Sequence, residues 1–311
     1  MATNKRRTVV LVVIFLVLCI SWLIFRHVWE IEPNLFSKHS SNFKKELQHK
    51  CNIITEFIKR LGTGNIDSLN EDLLEHLRGK WILPPSKLPY NLSNPKATYW
   101  DQIGQSKLVD KILKQRRKGF FVESGAFDGE GHSNTLFFEI SRDWEGLLVE
   151  PNPWSFQMLL NKNRKTYVAN TCLATGRSPA MVDFTFAREI GGIPKKGHAI
   201  PKGEQHVIEG KSRIQCFPIH SLLAAIGRNH VDYFSLDVEG AELDVLKSFP
   251  WEHVTVDVWT IEYAVHSAVY GPDSTKRGNA IREIFKNTGL YREGIILEPL
   301  DIVFVRKDVP Q

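Results

Sequence analysis

The stretch Gly119-Phe-Phe-Val-Glu-Ser-Gly-Ala-Phe-Asp-Gly-Glu-Gly-His-Ser133 determines how the rest of the chain is interpreted. The apolar residues 120–122 end in an acid, Glu123, and three glycines follow before a helical pattern that starts at Asn134. Glycine permits a sharp turn and the close approach of a ligand, and the first turn of a helix offers unpaired N–H groups. The stretch therefore predicts a buried strand, a tight turn and a helix start that together form a nucleotide-binding turn.

Apolar runs alternate with helical patterns from residue 100 to residue 305. The predicted strands are 120–122, 146–150, 166–170, 182–186, 214–219, 231–237, 254–261 and 301–305. The predicted helices between and around them are 100–118, 134–140, 154–161, 221–226, 241–249 and 281–288. This alternation predicts an α/β fold with a doubly wound, mostly parallel sheet. We expect the last strand to be antiparallel and to lie at an edge.

Acidic residues end four of the predicted strands: Glu123, Glu150, Asp237 and Glu262. An acid in this position often caps the following helix, so each has a structural explanation. Ligands of such sheets bind beyond the carboxyl ends of the strands, where all four acids would share one rim. Glu150 follows the glycine turn by about 20 residues, the offset at which a carboxylate meets ribose hydroxyls in dinucleotide folds.

The N-terminal region carries an uncharged, apolar run of 17 residues, Val9 to Phe25, preceded by the basic residues 5–7. This length is at the short end for a membrane-spanning helix, and the basic flank predicts a cytosolic N-terminus. A cleaved signal peptide is the alternative, but bulky residues follow the run. The sequence predicts a cytosolic tail over 1–8, a signal-anchor over 9–25, a helical stem and linker over 26–95, and the main domain over 96–311.

The stem contains two helical patterns, one from Phe43 to Leu61 and one from Leu69 to Trp81. These helices are expected to pack on the main domain, to pair with another chain or to act as a spacer. A polar, proline-flanked stretch from Pro89 to Pro95 is interpreted as the linker. It contains a glycosylation sequon at Asn91, which is usable if the domain faces the lumen.

Charge and cysteine content exclude few classes of protein. The net charge is +5, and no basic block interleaved with aromatic residues indicates a nucleic-acid partner. The four cysteines form no CxxC pair, and no Cys/His cluster has the spacing of a zinc site, so we expect no metal. In a lumenal domain Cys172 and Cys216 are either bridged or buried free thiols. The sequence leaves both possibilities open.

Four motifs occur in order along the main domain, namely Glu123-x-Gly-Ala-x-x-Gly, Val149-Glu-Pro-Asn-Pro153, Ser235-Leu-Asp-Val-Glu-Gly-Ala-Glu242 and Ile261-Glu262. With them, residues 119 to 306 resemble the FkbM family of S-adenosylmethionine-dependent methyltransferases. The third motif is the most specific. The family commonly has Asp at the position of Glu123 and Asn at that of Phe127. Anchor and domain together resemble the membrane-anchored animal subgroup represented by the insect protein Star.

The resemblance implies a Rossmann-like methyltransferase fold with S-adenosylmethionine as cofactor and assigns roles to individual residues. By this resemblance, the glycine turn after residue 124 would cradle the methionine part of the cofactor, with Glu123 near the amino group. Glu150 would bind the ribose. The implied cofactor-binding residues are Glu123, Gly125, Ala126, Asp128, Gly129, Glu150 and Asn152. The implied catalytic residues are Asp237 or Glu239 as general base for an acceptor hydroxyl, with Glu262 beside them.

Two functions follow from these patterns as hypotheses. The first is a lumen-facing O-methyltransferase of the secretory pathway that modifies a hydroxyl acceptor such as a glycan. The second is a non-catalytic, Star-like factor for transport of growth-factor precursors from the endoplasmic reticulum to the Golgi. Both predict a single-pass type II membrane protein with a lumenal domain and no nucleic-acid partner.

Overall fold

The computed structural model describes residues 37–194, 202–264, 272–295, 297 and 301–310. The helices are α1 (Ser37–Thr63), α2 (Glu71–His76), α3 (Gln105–Ile112), α4 (Leu136–Arg142), α5 (Pro153–Asn161), α6 (Ile219–Ala225), α7 (Glu242–Ser248) and α8 (Pro272–Thr288). The strands are β1 (Ile82–Leu83), β2 (Phe120–Ser124), β3 (Glu145–Val149), β4 (Tyr167–Ala169), β5 (Cys172–Leu173), β6 (Ala180–Phe186), β7 (Gly210–Phe217), β8 (His230–Leu236), β9 (Thr255–Glu262), β10 (Tyr291–Glu293) and β11 (Asp301–Arg306). A π-helical turn spans Leu77–Trp81, and a 3₁₀ turn spans Lys202–Val207.

An eight-stranded sheet forms the centre of the fold, in the order β1-β4-β3-β2-β8-β9-β11-β10. The five strands from β4 to β9 in that order run parallel. Every residue of β2 is buried, as expected for a strand whose two faces are both covered by helices. The largest fully buried side chains of the sheet are those of Trp259, Tyr233 and Phe121. The predicted doubly wound, mostly parallel sheet of the Rossmann-like methyltransferase fold is thereby confirmed.

The last strand differs in part from its prediction. Strand β11 is antiparallel to β9, as predicted. It does not lie at an edge, because the short strand β10 pairs with its other side. Phe304 on β11 stacks on Phe285 of α8, with ring centroids 3.8 Å apart, so this strand is covered by a helix as an interior strand is.

Two predicted strands leave the main sheet. Strands β6 and β7 form a hairpin, and β7 also pairs with β5 to give a separate three-stranded sheet. A disulfide between Cys172 and Cys216 joins β5 to β7. Of the two possibilities that the sequence left open for these cysteines, the structure has the bridge.

The chain divides into two compact units, Met1–Lys59 and Arg60–Gln311. The second unit contains every strand of the main sheet. Strand β1 adds an edge to the main sheet through β4. The predicted linker is fastened to this unit, since Ser93 N and Asn94 N donate to the Glu130 carboxylate at 2.7 and 2.6 Å.

The predicted membrane span, residues 9–25, lies outside the described residues. Within the part of the chain that is described, no helix combines the length and the apolar character needed to cross a membrane. Helix α1 extends the first stem pattern to 27 residues. Its side chains Leu47, Ile54 and Ile58 are exposed.

Candidate active site

A cleft lies beyond the carboxyl ends of β2, β3, β8 and β9, where ligands of doubly wound sheets bind. It holds about 1290 Å³ of empty space, part of which is open to solvent. The predicted site residues on its wall are Glu123, Gly125, Ala126, Glu150, Asn152, Asp237, Glu239 and Glu262. Segments far apart in the sequence thus meet at one rim, as the positions of the acids predicted.

The turn after β2 depends on glycine at position 125. Gly125 has φ of +88°, and a Cβ atom there would overlap the Asp237 carbonyl oxygen. The N–H groups of Gly125 and Ala126 both donate to Val149 O, at 3.0 and 3.3 Å. These bonds hold the turn against the end of β3. A larger residue at position 125 would push the turn away from Asp237, which follows β8.

Glu123 anchors the segment that follows the glycine turn. Its buried carboxylate accepts hydrogen bonds from Ser133 Oγ at 2.9 Å, Asn134 N at 2.6 Å and Thr135 Oγ1 at 2.6 Å. Burial raises the pKa of this carboxyl, and these bonds together with Arg164 act in the opposite direction. The sequence placed Glu123 near the amino group of a cofactor, whereas the structure bonds both of its oxygens to its own loop.

Glu150 stands at the end of β3 with 5% of its surface exposed. Its two carboxylate oxygens accept from Phe127 N at 2.8 Å and Asn152 N at 2.7 Å. Burial raises its pKa to about 8, and the negative charges of Asp237 and Glu209 add to the shift. A carboxylate has about four acceptor positions, so Glu150 retains capacity for two ligand hydroxyls.

Three further predicted cofactor residues have local structural roles. Asp128 Oδ1 accepts from Glu130 N and Gly131 N, which closes the turn. Gly129 sits against Leu159, 2.9 Å from where a Cβ would be. Neither Asp128 nor Gly129 is among the residues that line the cleft. Asn152 is on the wall, where its Oδ1 caps α5 through Trp154 N at 3.0 Å.

The three predicted catalytic residues come together at the ends of β8 and β9. Carboxylate oxygens of Asp237, Glu239 and Glu262 all lie within 4.8 Å of one another. Burial raises the pKa of Glu262 well above its usual value, and Asp237, Glu239 and Asp301 raise it further. Like charges held this close favour proton uptake by one of the group. The arrangement suits proton transfer, and its oxygen-only donor set is also of a type that divalent cations accept.

Two charged residues of this rim were missed by the sequence reasoning. Asp301, at the start of β11, accepts from Gln105 Nε2 at 2.8 Å, and burial raises its pKa to about 7. Arg277 on α8 forms an ion pair with Glu242, and burial lowers its pKa while Glu239 and Asp237 oppose that shift. Both residues come from segments distant from the motifs, and no local pattern in the sequence marks them.

Asn134 is a third residue that the motifs did not identify. Its side chain is on the cleft wall with 8% of the residue exposed. Its Nδ2 donates to Ser235 Oγ at 2.9 Å, whereas its Oδ1 has no hydrogen-bond partner among the described residues. A buried acceptor without a donor is costly. A ligand N–H or O–H group in the cleft would satisfy it.

Two histidines of the main domain, His220 and His266, are not among the predicted catalytic residues. His220 stacks on His253 with centroids 5.2 Å apart and lines a different cavity. His266 lies outside the described residues.

The chain was compared with known proteins. The profile of the methyltransferase FkbM domain matches residues 123–289, more than half of the chain. No curated protein gave a match.

Solved methyltransferase structures are distantly similar. The Methanococcus jannaschii fibrillarin pre-rRNA processing protein is 12% identical, with 70% of this chain and 87% of that chain covered at a TM-score of 0.36. The precorrin-6y C5,15-methyltransferase of Geobacter metallireducens is 9% identical, with 65% and 87% covered at 0.34. A human methyltransferase 10 domain containing protein is 8% identical, with 75% of this chain and 93% of that chain covered at a TM-score of 0.34. On the strength of the domain match, the chain belongs to the FkbM methyltransferase domain family.

Proposed function

We propose that this protein is a membrane-anchored, S-adenosylmethionine-dependent O-methyltransferase whose main domain faces the lumen of the secretory pathway. The observation that carries the proposal is the surplus of acid on the cleft wall. Glu150, Glu262 and Asp301 all have raised pKa values there. A cofactor with a sulfonium and an ammonium group brings the positive charge that such a wall favours.

The wall also offers polar groups that fit the other parts of this cofactor. Glu150 accepts from the ribose hydroxyls, since its carboxylate has acceptor positions beyond its two backbone bonds. Asn134 Oδ1 accepts from an N–H or O–H group of the ligand. Glu123 acts indirectly, by holding residues 133–135 in place.

The bound cofactor supplies an electrophilic methyl group and a sulfur leaving group that departs as a neutral thioether. The protein's part is to orient the acceptor and to remove its proton. Asp237 or Glu239 takes the acceptor hydroxyl proton as the oxygen–methyl bond forms. Glu262 stands within 4.8 Å of both. Burial and the neighbouring acids raise its pKa, which favours a protonated Glu262 that donates a hydrogen bond to the base.

Three observations favour a lumenal domain, and a lumenal location is the reason for proposing a hydroxyl acceptor such as a glycan. The bridge between Cys172 and Cys216 is typical of oxidising compartments. Asn91 of the sequon is exposed. The uncharged run 9–25 follows basic residues, as in a type II signal-anchor.

A non-catalytic transport factor of the Star-like kind is the second candidate. The favouring observation is the saturation of Glu123 by Ser133, Asn134 and Thr135. A turn that is held by its own side chains keeps its shape without a cofactor. In this reading the cleft is retained for the fold, and the protein binds a growth-factor precursor elsewhere.

Titration calorimetry of the full-length protein in detergent distinguishes the two candidates. The enzyme predicts saturable binding of S-adenosylmethionine and methyl transfer to a glycan pool, with transfer lost in Asp237→Asn. Absence of binding at millimolar cofactor rejects the enzyme. For the orientation, the Asn91→Gln variant should lose an endoglycosidase-sensitive band shift in microsomes.

A further inference from the structure

The exposed face of helix α1 carries a regular apolar pattern. Leu47, Cys51, Ile54 and Ile58 are spaced by four, three and four residues, which places them in one stripe, hereafter the α1 seam. Leu47, Ile54 and Ile58 are 46%, 60% and 49% exposed. This spacing is the a/d pattern of a two-stranded coiled coil. Apart from the exposed Ile53, polar side chains cover the opposite face, including the exposed Glu56.

Cys51 lies at the centre of the α1 seam and is a free, exposed cysteine. Two other cysteines of the described chain, Cys172 and Cys216, are joined in a disulfide. An odd cysteine in an oxidising compartment indicates pairing between molecules. An exposed thiol within an apolar seam therefore has one partner that fits both its chemistry and its position, the same cysteine of a second copy.

The geometry of paired helices permits this bond. Helices pack about 9 Å apart, and Cα atoms lie about 2.3 Å from each axis, so facing Cα atoms are about 4.4 Å apart. Disulfides span Cα separations of about 4.4–6.8 Å. Only a parallel, in-register pair brings Cys51 opposite its own copy with all seam residues matched. A shared membrane, entered through residues 9–25 of each copy, would impose that orientation.

The α1 seam is too small to hold a dimer by burial alone. Its exposed apolar surface is about 300 Å² per helix, against roughly 800 Å² per partner in a stable interface. From the spacing, the exposure and the central thiol, we infer that α1 pairs two copies of this protein in parallel and that a Cys51–Cys51 disulfide locks the pair. Two thiols give one disulfide, with two electrons and two protons passing to the thiol oxidants of the compartment. The native bond rests on the lumenal orientation proposed above, whereas the pairing of the helices does not.

The test uses the full-length protein in cell membranes, with free thiols blocked by N-ethylmaleimide before lysis. Non-reducing electrophoresis should give a band near twice the 35.6 kDa chain mass that collapses on reduction and is absent from Cys51→Ser. A reducible band at any other mass means a different occupant and overturns the inference.

A second experiment tests the pairing of the α1 seams independently of whether the compartment is oxidising. Copper phenanthroline is added to membranes containing a Cys19→Ser variant and to a Cys19→Ser, Cys51→Ser, Glu56→Cys control, whose thiol lies on the opposite face of α1. We expect cross-linking at Cys51 to be at least ten times faster than at position 56. Equal rates of cross-linking at positions 51 and 56 overturn the proposed pairing through the α1 seam. Fast cross-linking at Cys51 without a native disulfide supports the seam and contradicts the lumenal orientation.

Discussion

Strands β8 and β9 carry acids at both ends, and the two ends differ in how those acids are neutralised. At the amino ends, Asp232 and Asp257 both bind Arg116, and His230 Nε2 lies 3.0 Å from Asp257. These contacts hold the pKa of Asp257 below its usual value, against the effect of burial. At the carboxyl ends, Glu262 and Asp301 have raised pKa values.

The difference separates a structural cluster from a candidate functional one on the same pair of strands. Each cluster places three His, Asp or Glu ligand atoms within 4.8 Å of one another, so proximity alone does not distinguish them. The direction of the pKa shift does. Buried acids with depressed pKa values contribute to folding, whereas acids with raised pKa values cost stability and mark candidate sites.

Arg116→Ala should have the largest effect on stability. It leaves Asp232 and Asp257 buried without their cation, and removing one partner of such a group costs about 3 kcal/mol. Chemical denaturation measures the loss. The control is Arg117→Ala, whose exposed pair with Asp143 should change the unfolding free energy by under about 1 kcal/mol. Equal effects of the two variants would remove the distinction between the clusters.

Two amide substitutions on β9 compare its ends directly. Asp257→Asn removes an acid that is stabilised by Arg116 and His230, and we expect a loss of about 2 kcal/mol. Glu262→Gln removes an acid whose pKa is raised by burial and by its neighbours, and we expect a gain of about 1 kcal/mol together with a fall in methyl transfer. Thermal unfolding at pH 7.5 measures both. A destabilised Glu262→Gln protein would place Glu262 with the structural acids.

The pH dependence of stability should follow from the same contrast. The folded pKa values of Glu150 and Asp301, about 8 and about 7, exceed their usual values, so the folded state holds extra protons at neutral pH. Their contribution is fully present below about pH 4 and is lost as the pH rises through 7 and 8. Asp257 acts in the opposite sense, because its contribution is lost as the pH falls through its lowered pKa.

The midpoint temperature of thermal unfolding, measured without cofactor, should therefore be highest at mildly acid pH and should fall by several degrees between pH 6 and 9. Glu150→Gln should reduce the fall in unfolding temperature on the alkaline side and leave the change on the acid side unaltered. If the unfolding temperature of Glu150→Gln falls with pH as steeply as that of the unmodified protein, Glu150 titrates normally in the folded protein.

The sequence allowed the prediction of the parallel sheet and its acid rim, because apolar runs and strand-end acids are local patterns. It did not allow the prediction of β10, whose three residues at Tyr291–Glu293 are too few for a periodic signal. Residues of β6 and β7 are strand-like in sequence, and only their pairing with each other and with β5 separates them from the main sheet. Arg277 and Asp301 reach the rim through tertiary packing, which no spacing encodes.

The same limit applies to the difference between a binding and a supporting residue in the glycine turn. Glu123 and Asp128 belong to the motif, yet their oxygens are engaged by their own loop. Asn134 lies three residues after Gly131, the last glycine of the turn. Its Oδ1 is a buried acceptor that has no hydrogen-bond partner among the described residues. Motif membership therefore located the turn but not the acceptor that this loop leaves without a partner.

Asn134→Ala tests this last point and should have the smallest effect on stability. The substitution removes an unsatisfied buried oxygen along with one hydrogen bond to Ser235, so the two contributions offset and unfolding should change by under about 1 kcal/mol. Cofactor affinity measured by calorimetry should fall about tenfold, the effect of about 1.4 kcal/mol. Asn134→Asp is the matched variant, because it keeps the acceptor and adds a charge that attracts an ammonium group. Unchanged affinity in Asn134→Ala would mean that the orphan oxygen faces a part of the cleft that the cofactor leaves empty, and the acceptor hydroxyl would then be its remaining partner in the proposed reaction.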